Sequence, residues 1–480
     1  VISSFRQNNK ESFKESAING SIRKYWQTHF SQPIQIIKPM DTPTTQNNRR
    51  NFIKTSGAVA GATAFAPRIS GAFAGASEEV KVGLVGCGGK GTSDIRQILS
   101  VGGSVKLWAM GDAIENNAQN KYKAIQADRN KAKVECEGRV FSGLDSYRKV
   151  IDSGVDIVFL VTSPGFRPVH FDYAVKQGKH VFMQKPCAVD GRGVRMLLES
   201  NKIAKEKGLK VGVGFQRRHD QKYIDCIKAL QDGAIGDIVS MRSYWDGRTP
   251  WTRPRKEGQT EMEYQIQNWY YFNWLCGDHI CEQHIHNLDV CNWVMDSYPQ
   301  IAQGKGGCEV RNGPDTGETF DHHQVEFVYG PKWDGPSVRM HSSCRHISGC
   351  FGSVSEHAHG SKGYAIINSG RIYNNDGKEI FRGQGQGSSE IRHKTAFIDA
   401  IRNNKEFNEC DNGALSSMTS IFGRMATYSG KLLSLDDCLN TKVDVFPYDN
   451  GDPKWDSVPP VAPDKNGRYK RPVPGVTKVI

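Results

Sequence analysis

The stretch Val80-Lys81-Val82-Gly83-Leu84-Val85, running without a break into Gly86-Cys87-Gly88-Gly89-Lys90-Gly91, constrains the fold of this chain more than any other. Its valine content and alternation mark residues 80–85 as a buried parallel strand. Gly86, Gly88 and Gly91 then spell G-x-G-x-x-G, and Thr92 to Leu99 reads as the helix that follows. Glycines let a backbone come close to a ligand, and a helix start offers free N–H groups and a positive dipole end. Strand, glycine turn and helix together predict a dinucleotide pyrophosphate held at Gly86, Gly88, Gly89, Lys90 and Gly91.

A second strand, Val105 to Met110, ends at Gly111-Asp112. Asp112 stands about 20 residues past the last motif glycine, where a carboxylate accepts hydrogen bonds from the adenosine ribose. The plainer reading is a turn aspartate at a strand end. No cation follows in Ala113-Ile114-Glu115, so a 2′-phosphate would meet uncompensated negative charge. NAD is therefore the expected cofactor, with NADP possible. A further strand, Val155 to Val161, ends in Thr162-Ser163-Pro164, which are expected beside the nicotinamide ribose.

At 480 residues the chain exceeds what one core usually fills, so more than one domain is expected. The fold class predicted is α/β: an N-terminal Rossmann domain over 80–195, then an α+β domain over 196–447. A leader occupies 1–79 and a Pro-rich arm 448–480. Helical patterns at 191–207 and 221–231 flank a short strand at 211–215, and alternating stretches recur at 238–245, 319–329 and 338–343. They predict a large, mostly antiparallel sheet. The net charge of +12 is spread along the chain without a dense Lys/Arg tract, which argues for a solvated surface and against nucleic acid. Twelve cysteines contain no CxxC pair and read mostly as buried thiols.

Asn48-Arg49-Arg50-Asn51-Phe52-Ile53-Lys54, followed by a weakly apolar run from Ser56 to Pro67, resembles a twin-arginine export signal. Ala72-Phe73-Ala74 supplies the small-x-small pattern for cleavage after Ala74, and Met40 is the expected start. The run is too short to span a bilayer, so no stable membrane span is expected after cleavage. The location expected is the periplasm, or the cytoplasm if the signal is not used.

His170 through Ala174, then Gly178-Lys179-His180-Val181-Phe182-Met183-Gln184-Lys185-Pro186, resembles the Gfo/Idh/MocA oxidoreductases, whose hallmark there is E-K-P. The likeness extends to Gly214-Phe215-Gln216-Arg217-Arg218 and to Gly423-Arg424-Met425-Ala426. It implies a lysine beside the nicotinamide, here Lys185, with His170 and Gln184 near the cofactor. It also implies an Asp-x-x-x-His pair, which this chain renders as Glu282 and His286. Gln184 for glutamate and Glu282 for aspartate are the departures. A homo-oligomer and a sugar or polyol substrate are further implications. Candidate substrate contacts are Arg217, Trp274, His284 and Asp289, the last alternatively fixing local structure.

The chemistry stands on residue type as well. Removing hydride from a carbinol needs a base for the hydroxyl proton, and histidine suits that role near neutrality. On a helix Glu282 would lie one turn from His286 and could orient the imidazole, while Lys185 bonds the same substrate oxygen. A packed, hydrogen-bonded histidine is the structural alternative. His279, His284, His286 and Glu282 also offer zinc-type donors, but H-x-x-E-x-H-x-H matches no helical metal motif, and no metal is expected. The aromatic-rich region 245–274 suits a sugar ring or core packing. Three functions fit: net sugar oxidation or reduction, an NAD-dependent glycosidase or epimerase working through transient oxidation, and a binding protein retaining the fold.

Overall fold

The computed structural model describes residues 79–480; the leader, its arginines and the cleavage site lie outside the described residues. Strands and helices alternate through the first part: β1 (Val80–Val85), α1 (Gly89–Ser100), β2 (Val105–Asp112), α2 (Glu115–Gln126), β3 (Val140–Ser142), α3 (Ser146–Asp152), β4 (Ile157–Leu160), α4 (Arg167–Lys176), β5 (His180–Met183), α5 (Gly191–Glu206) and β6 (Val211–Val213). The strands form one parallel sheet in the order β3-β2-β1-β4-β5-β6. The order reverses between β1 and β4, which opens a crevice at their carboxyl ends. Strand β4 is shorter than the apolar run that announced it, because Val155 and Val161 lie outside the ladder.

The domain boundary expected at 195 is corrected by this sheet. Residue 195 falls inside α5, and the sheet is completed only by β6. Helix α5 and β6 form the last crossover of the parallel sheet, so the chain cannot leave that layer until β6 has paired.

The second part contains α6 (Gln221–Gln231), β7 (Ile238–Gly247), α7 (Glu261–Gln267), α8 (Asn273–Cys276), a π-helical turn at Ile280–His284, α9 (Ile285–Met295), β8 (Ile301–Gly307), β9 (His322–Tyr329), β10 (Val338–His346), β11 (Ser353–Gly360), β12 (Gly363–Ile366), β13 (Arg371–Asn374), β14 (Glu379–Arg382), α10 (Ser389–Arg402), α11 (Cys410–Ser429), β15 (Leu433–Ser434) and α12 (Leu435–Leu439). The nine strands form a sheet ordered β14-β13-β12-β11-β7-β10-β9-β8-β15. All its pairs are antiparallel except β7 with β10.

Two long helices join the layers. Helix α11 is buried along nearly its whole length, packed against α5 and against β8 and β9, and its buried Ser417, Ser420 and Ser429 hydroxyls donate to carbonyls of the same helix. Helix α10 returns to the first sheet, where Phe397, Ile398 and Ile401 share a core with Val82, Leu84 and Phe182. Residues 448–480 hold one short 3-10 turn and otherwise irregular chain. That arm is nonetheless pinned: Tyr469 is buried against Phe272, and the Asp190 carboxylate at the start of α5 accepts from Val445 N, Phe446 N and the Tyr448 hydroxyl.

Candidate active site

The carboxyl ends of the parallel strands open onto a cleft of about 670 Å³. Its floor is the glycine loop. Gly86 holds φ +96°, and a Cβ there would lie 2.6 Å from the Val161 backbone; a Cβ on Gly91 would fall 2.0 Å from the Gly86 oxygen. Gly88 and Gly89 are the opposite case, since a Cβ on either would meet nothing within 4 Å. Gly88 caps α1 without a side-chain hydrogen bond, so the start of α1 presents backbone N–H groups to open space. A cradle of this shape fits a pyrophosphate.

Asp112 lines the cleft beside the loop. Its carboxylate accepts from Cys87 N at 2.7 Å and Ile114 N at 2.9 Å, which fixes it at the end of β2, while burial raises its pKa. Thr162 and Ser163 follow at the end of β4, and Thr162 Oγ1 lies 3.3 Å from His170 Nδ1. His170 stacks on Tyr147 with centroids 4.0 Å apart, and burial lowers its pKa to about 3, so the ring is neutral. Pro164 sits behind the lining in a buried 3-10 turn, away from the expected ribose contact.

At the far end β5 delivers Lys185 and the π turn delivers Glu282. Lys185 Nζ donates to the Glu282 backbone oxygen and lies 3.1 Å from Glu282 Oε1. Burial lowers the lysine's pKa and the glutamate opposes that shift. His286, on the first turn of α9, is 7% exposed, with Nδ1 lacking a hydrogen-bond partner. Trp245 lies beside its ring at 6.1 Å and 25°, and Phe215 meets it edge-on at 6.2 Å. Burial, then the cations Lys185 and Arg217, hold its pKa well below the ordinary histidine value. The carboxylate of Glu282 is thus the lysine's partner and not the imidazole's, contrary to the expected helical pairing. The cause is local: residues 280–284 wind as a π turn, which changes the angular offset between positions 282 and 286.

Gln184 also has a physical account. Its Nε2 donates to Asp94 Oδ2 at 2.8 Å, and Asp94 Oδ1 lies 2.9 Å from Lys394 and 3.2 Å from Lys90. Helix α1 therefore places a buried carboxylate where a glutamate at 184 would have met it. Arg217 lines the cleft and pairs with the buried Glu356.

Three candidate substrate contacts are corrected. Trp274 is buried between Phe166 and Phe446, its Nε1 donating to Gln265. His284 is fully buried against Ser342 Oγ at 2.7 Å. Asp289 holds Arg218, Ser416 and Asn412. None of the three lines the cleft; Trp274 on α8, His284 in the π turn and Asp289 on α9 each turn into the core. Sequence reading missed Arg167 and Glu390, which do line it, as does Trp251 of the aromatic-rich region. Arg167 donates to the Pro186 oxygen, and burial lowers its pKa to about 10.

Two groupings of metal-type donors occur among the described residues. His219 and His393 both bond Glu409, but their rings stack at 3.8 Å and 12°, so no ion can lie in both ring planes. Asp278 is saturated differently: it accepts from His279 N and Nδ1, from Phe320 N and from the Tyr428 hydroxyl at 2.6 Å. Both groupings read as hydrogen-bonded cores.

Residues 80–215 match the family model described as an oxidoreductase family with an NAD-binding Rossmann fold, GFO_IDH_MocA. Residues 80–215 thus resemble the NAD-binding domain of the Gfo/Idh/MocA oxidoreductases. The match ends just beyond β6, where the parallel sheet ends. Residues 46–66 match a twin-arginine translocation signal. An inositol 2-dehydrogenase of Klebsiella pneumoniae (strain 342) is 28% identical over 226 residues, 46% of this chain and 56% of that relative. The scyllo-inositol 2-dehydrogenase (NAD(+)) of Bacillus subtilis (strain 168) is 23% identical over 49% of this chain and 65% of its own length. The chain therefore spans less than two thirds of these curated relatives. Among solved structures, a Lactobacillus casei scyllo-inositol dehydrogenase with bound NAD(H) and scyllo-inositol superposes with a TM-score of 0.55 at 19% identity, over 75% of this chain and all of the other. The Caulobacter crescentus aldose-aldose oxidoreductase gives 0.57 at 15%, over 74% of this chain and all of the other. These likenesses show a shared fold that continues past the parallel sheet into the second part of the chain. No helix among the described residues is long and apolar enough to cross a membrane.

Proposed function

We propose that this chain is an exported, NAD-dependent Gfo/Idh/MocA oxidoreductase that moves hydride between nicotinamide and a hydroxyl-bearing carbon of a sugar, glycoside or polyol. The observation that carries the reading is the convergence of Lys185, Glu282 and His286 on the cleft whose floor is the open glycine loop. In this reading residues 80–213 bind the cofactor and the second sheet walls the substrate. The periplasm is the place of action, and a homo-oligomer is the assembly. The names of the inositol dehydrogenases support a polyol substrate class.

Glycine-loop amides and the start of α1 hold the pyrophosphate, and Asp112 accepts from the adenosine ribose. Bound NAD supplies the acceptor for the hydrogen that leaves carbon with its electron pair. His286, kept neutral by burial, accepts the hydroxyl proton. Lys185 donates a hydrogen bond to the same oxygen and stabilises negative charge as it builds there. Glu282 holds the lysine in place, and the walls formed by Trp245 and Phe215 exclude water from the imidazole.

The signal match at 46–66 favours a second reading on the same residues: a glycosidase or epimerase that retains its cofactor and oxidises the sugar only transiently. Mass spectrometry of the nucleotide released on denaturation, followed by product analysis with inositols, aldoses and glycosides, separates the readings. Ketone with lasting reduction of NAD supports the dehydrogenase. Product without lasting reduction supports the transient mechanism, and failure to bind NAD overturns both.

A further inference from the structure

Beyond Asp112 the main cleft continues into a second hollow of about 370 Å³, with Ala113, Ile114 and Gly143 lining both spaces. The second hollow lies between the loops that follow β2 and β3 on one side and Glu263 and Gln267 of α7 on the other. Its remaining wall is Trp455, from the C-terminal arm. The arm reaches that point under firm restraint. Arg192 clamps Asp449 at 2.5 and 2.8 Å, Tyr448 donates to Asp190, and Asp452 accepts from the Tyr147 hydroxyl and from Arg148 Nε, both at 2.9 Å. The Trp455 ring is half-buried against the aromatic cluster that contains Phe446 and Trp274.

We propose that the C-terminal arm completes the adenosine subsite, with Trp455 offering its indole face to the adenine and so retaining the dinucleotide between turnovers. The inference rests on the cofactor reading above. If Asp112 takes the ribose, the base attached to that ribose must enter a space next to the Asp112 loop. The hollow is such a space, and it is contiguous with the main cleft. A purine is flat and weakly polar on its faces, and an indole is the side chain that stacks on it most effectively. Because the arm follows every catalytic element in the chain, it acts as a strap laid over a finished site. It would slow the loss of cofactor without touching the reacting carbon.

The test is calorimetric titration of the full chain and of its Trp455→Ala and Trp455→Phe forms with NAD, ADP-ribose and nicotinamide mononucleotide, with thermal midpoints recorded in parallel. Trp455→Ala is expected to weaken NAD and ADP-ribose by about tenfold, to leave nicotinamide mononucleotide unchanged, and to be largely rescued in Trp455→Phe. Tryptophan fluorescence quenched by ADP-ribose in the parent should be lost in Trp455→Ala. Unchanged NAD affinity in Trp455→Ala, or equal weakening of all three ligands, overturns the role of the arm alone. A parent chain that binds neither NAD nor ADP-ribose overturns the cofactor reading as well.

Discussion

Glu282 and Lys185 form a nearly buried ion pair in which the glutamate counteracts the burial that lowers the lysine's pKa. Replacing Glu282 with Gln removes that support, so the lysine should lose its proton at lower pH. The alkaline limb of kcat/KM is then expected to move down by about one pH unit, and a pH-rate profile of the variant checks it. A lysine that served only as packing would leave the limb in place. Glu318 tests burial in the opposite direction. It is buried, accepts from Asn273 N, and its pKa is raised to about 7. A raised carboxyl contributes stability that is fully present below its unfolded value and lost as pH rises through the folded one. The advantage of Glu318→Gln over the parent should therefore grow by about 1 kcal/mol per pH unit between about 5 and 7, then level off. Urea unfolding at stepped pH measures it. The placement of Asp112 and Lys185 in the cleft was legible in the sequence because Asp112 ends β2 and Lys185 lies two residues past β5, and both strands have local patterns. Trp274, His284 and Asp289 were misread because a helical or aromatic segment does not declare which side faces the cleft. That depends on partners far away in the chain: Phe166 and Phe446 for Trp274, Ser342 of β10 for His284 and Ser416 of α11 for Asp289.

The pairing of β5 with α1 through Gln184 and Asp94 shows how an element-level substitution is balanced. A carboxylate at 184 would stand 2.8 Å from Asp94, in a site where Lys394 and Lys90 are already matched by two acids, Asp94 and Glu390. Gln184→Glu is expected to cost about 2–4 kcal/mol, and adding Asp94→Asn should restore most of it. A double-mutant cycle by chemical denaturation gives the coupling, and additive losses would contradict the link. Strands β1, β2 and β4 and helix α1 were readable because strand, turn and helix signals lie close together in the chain, whereas α2, β3 and α3 carry weaker patterns and went unread. The order of the nine-stranded sheet was not, because β7 pairs with β10 and β11 across gaps that periodicity does not encode. The π turn at 280–284 was equally hidden, since its sequence reads as an ordinary helix start.

Across the whole molecule, buried neutral histidines set the acid limit. Burial lowers the pKa of His170 and His284 to about 3 and that of His323 to about 4, from 6.5 when free. A histidine with a depressed folded pKa loses stability as pH falls below the unfolded value, because only the unfolded chain takes up the proton. Each should cost on the order of 1 kcal/mol between about pH 7 and 5; Glu318 offsets part of this over the same range. Urea midpoints are therefore expected to fall from about pH 7 to 5, and constant midpoints would mean the histidines are wetter than their burial indicates. The account as a whole turns on whether His286 takes the proton when hydride leaves the substrate. Absorbance of reduced nicotinamide should be followed after mixing the NAD-loaded full chain with a turned-over polyol or glycoside, beside the His286→Asn form at matched cofactor occupancy. Reduction is expected in the parent, with a rate lower by about 10²–10⁴-fold in the variant and NAD affinity unchanged. Equal rates in the two proteins would contradict it.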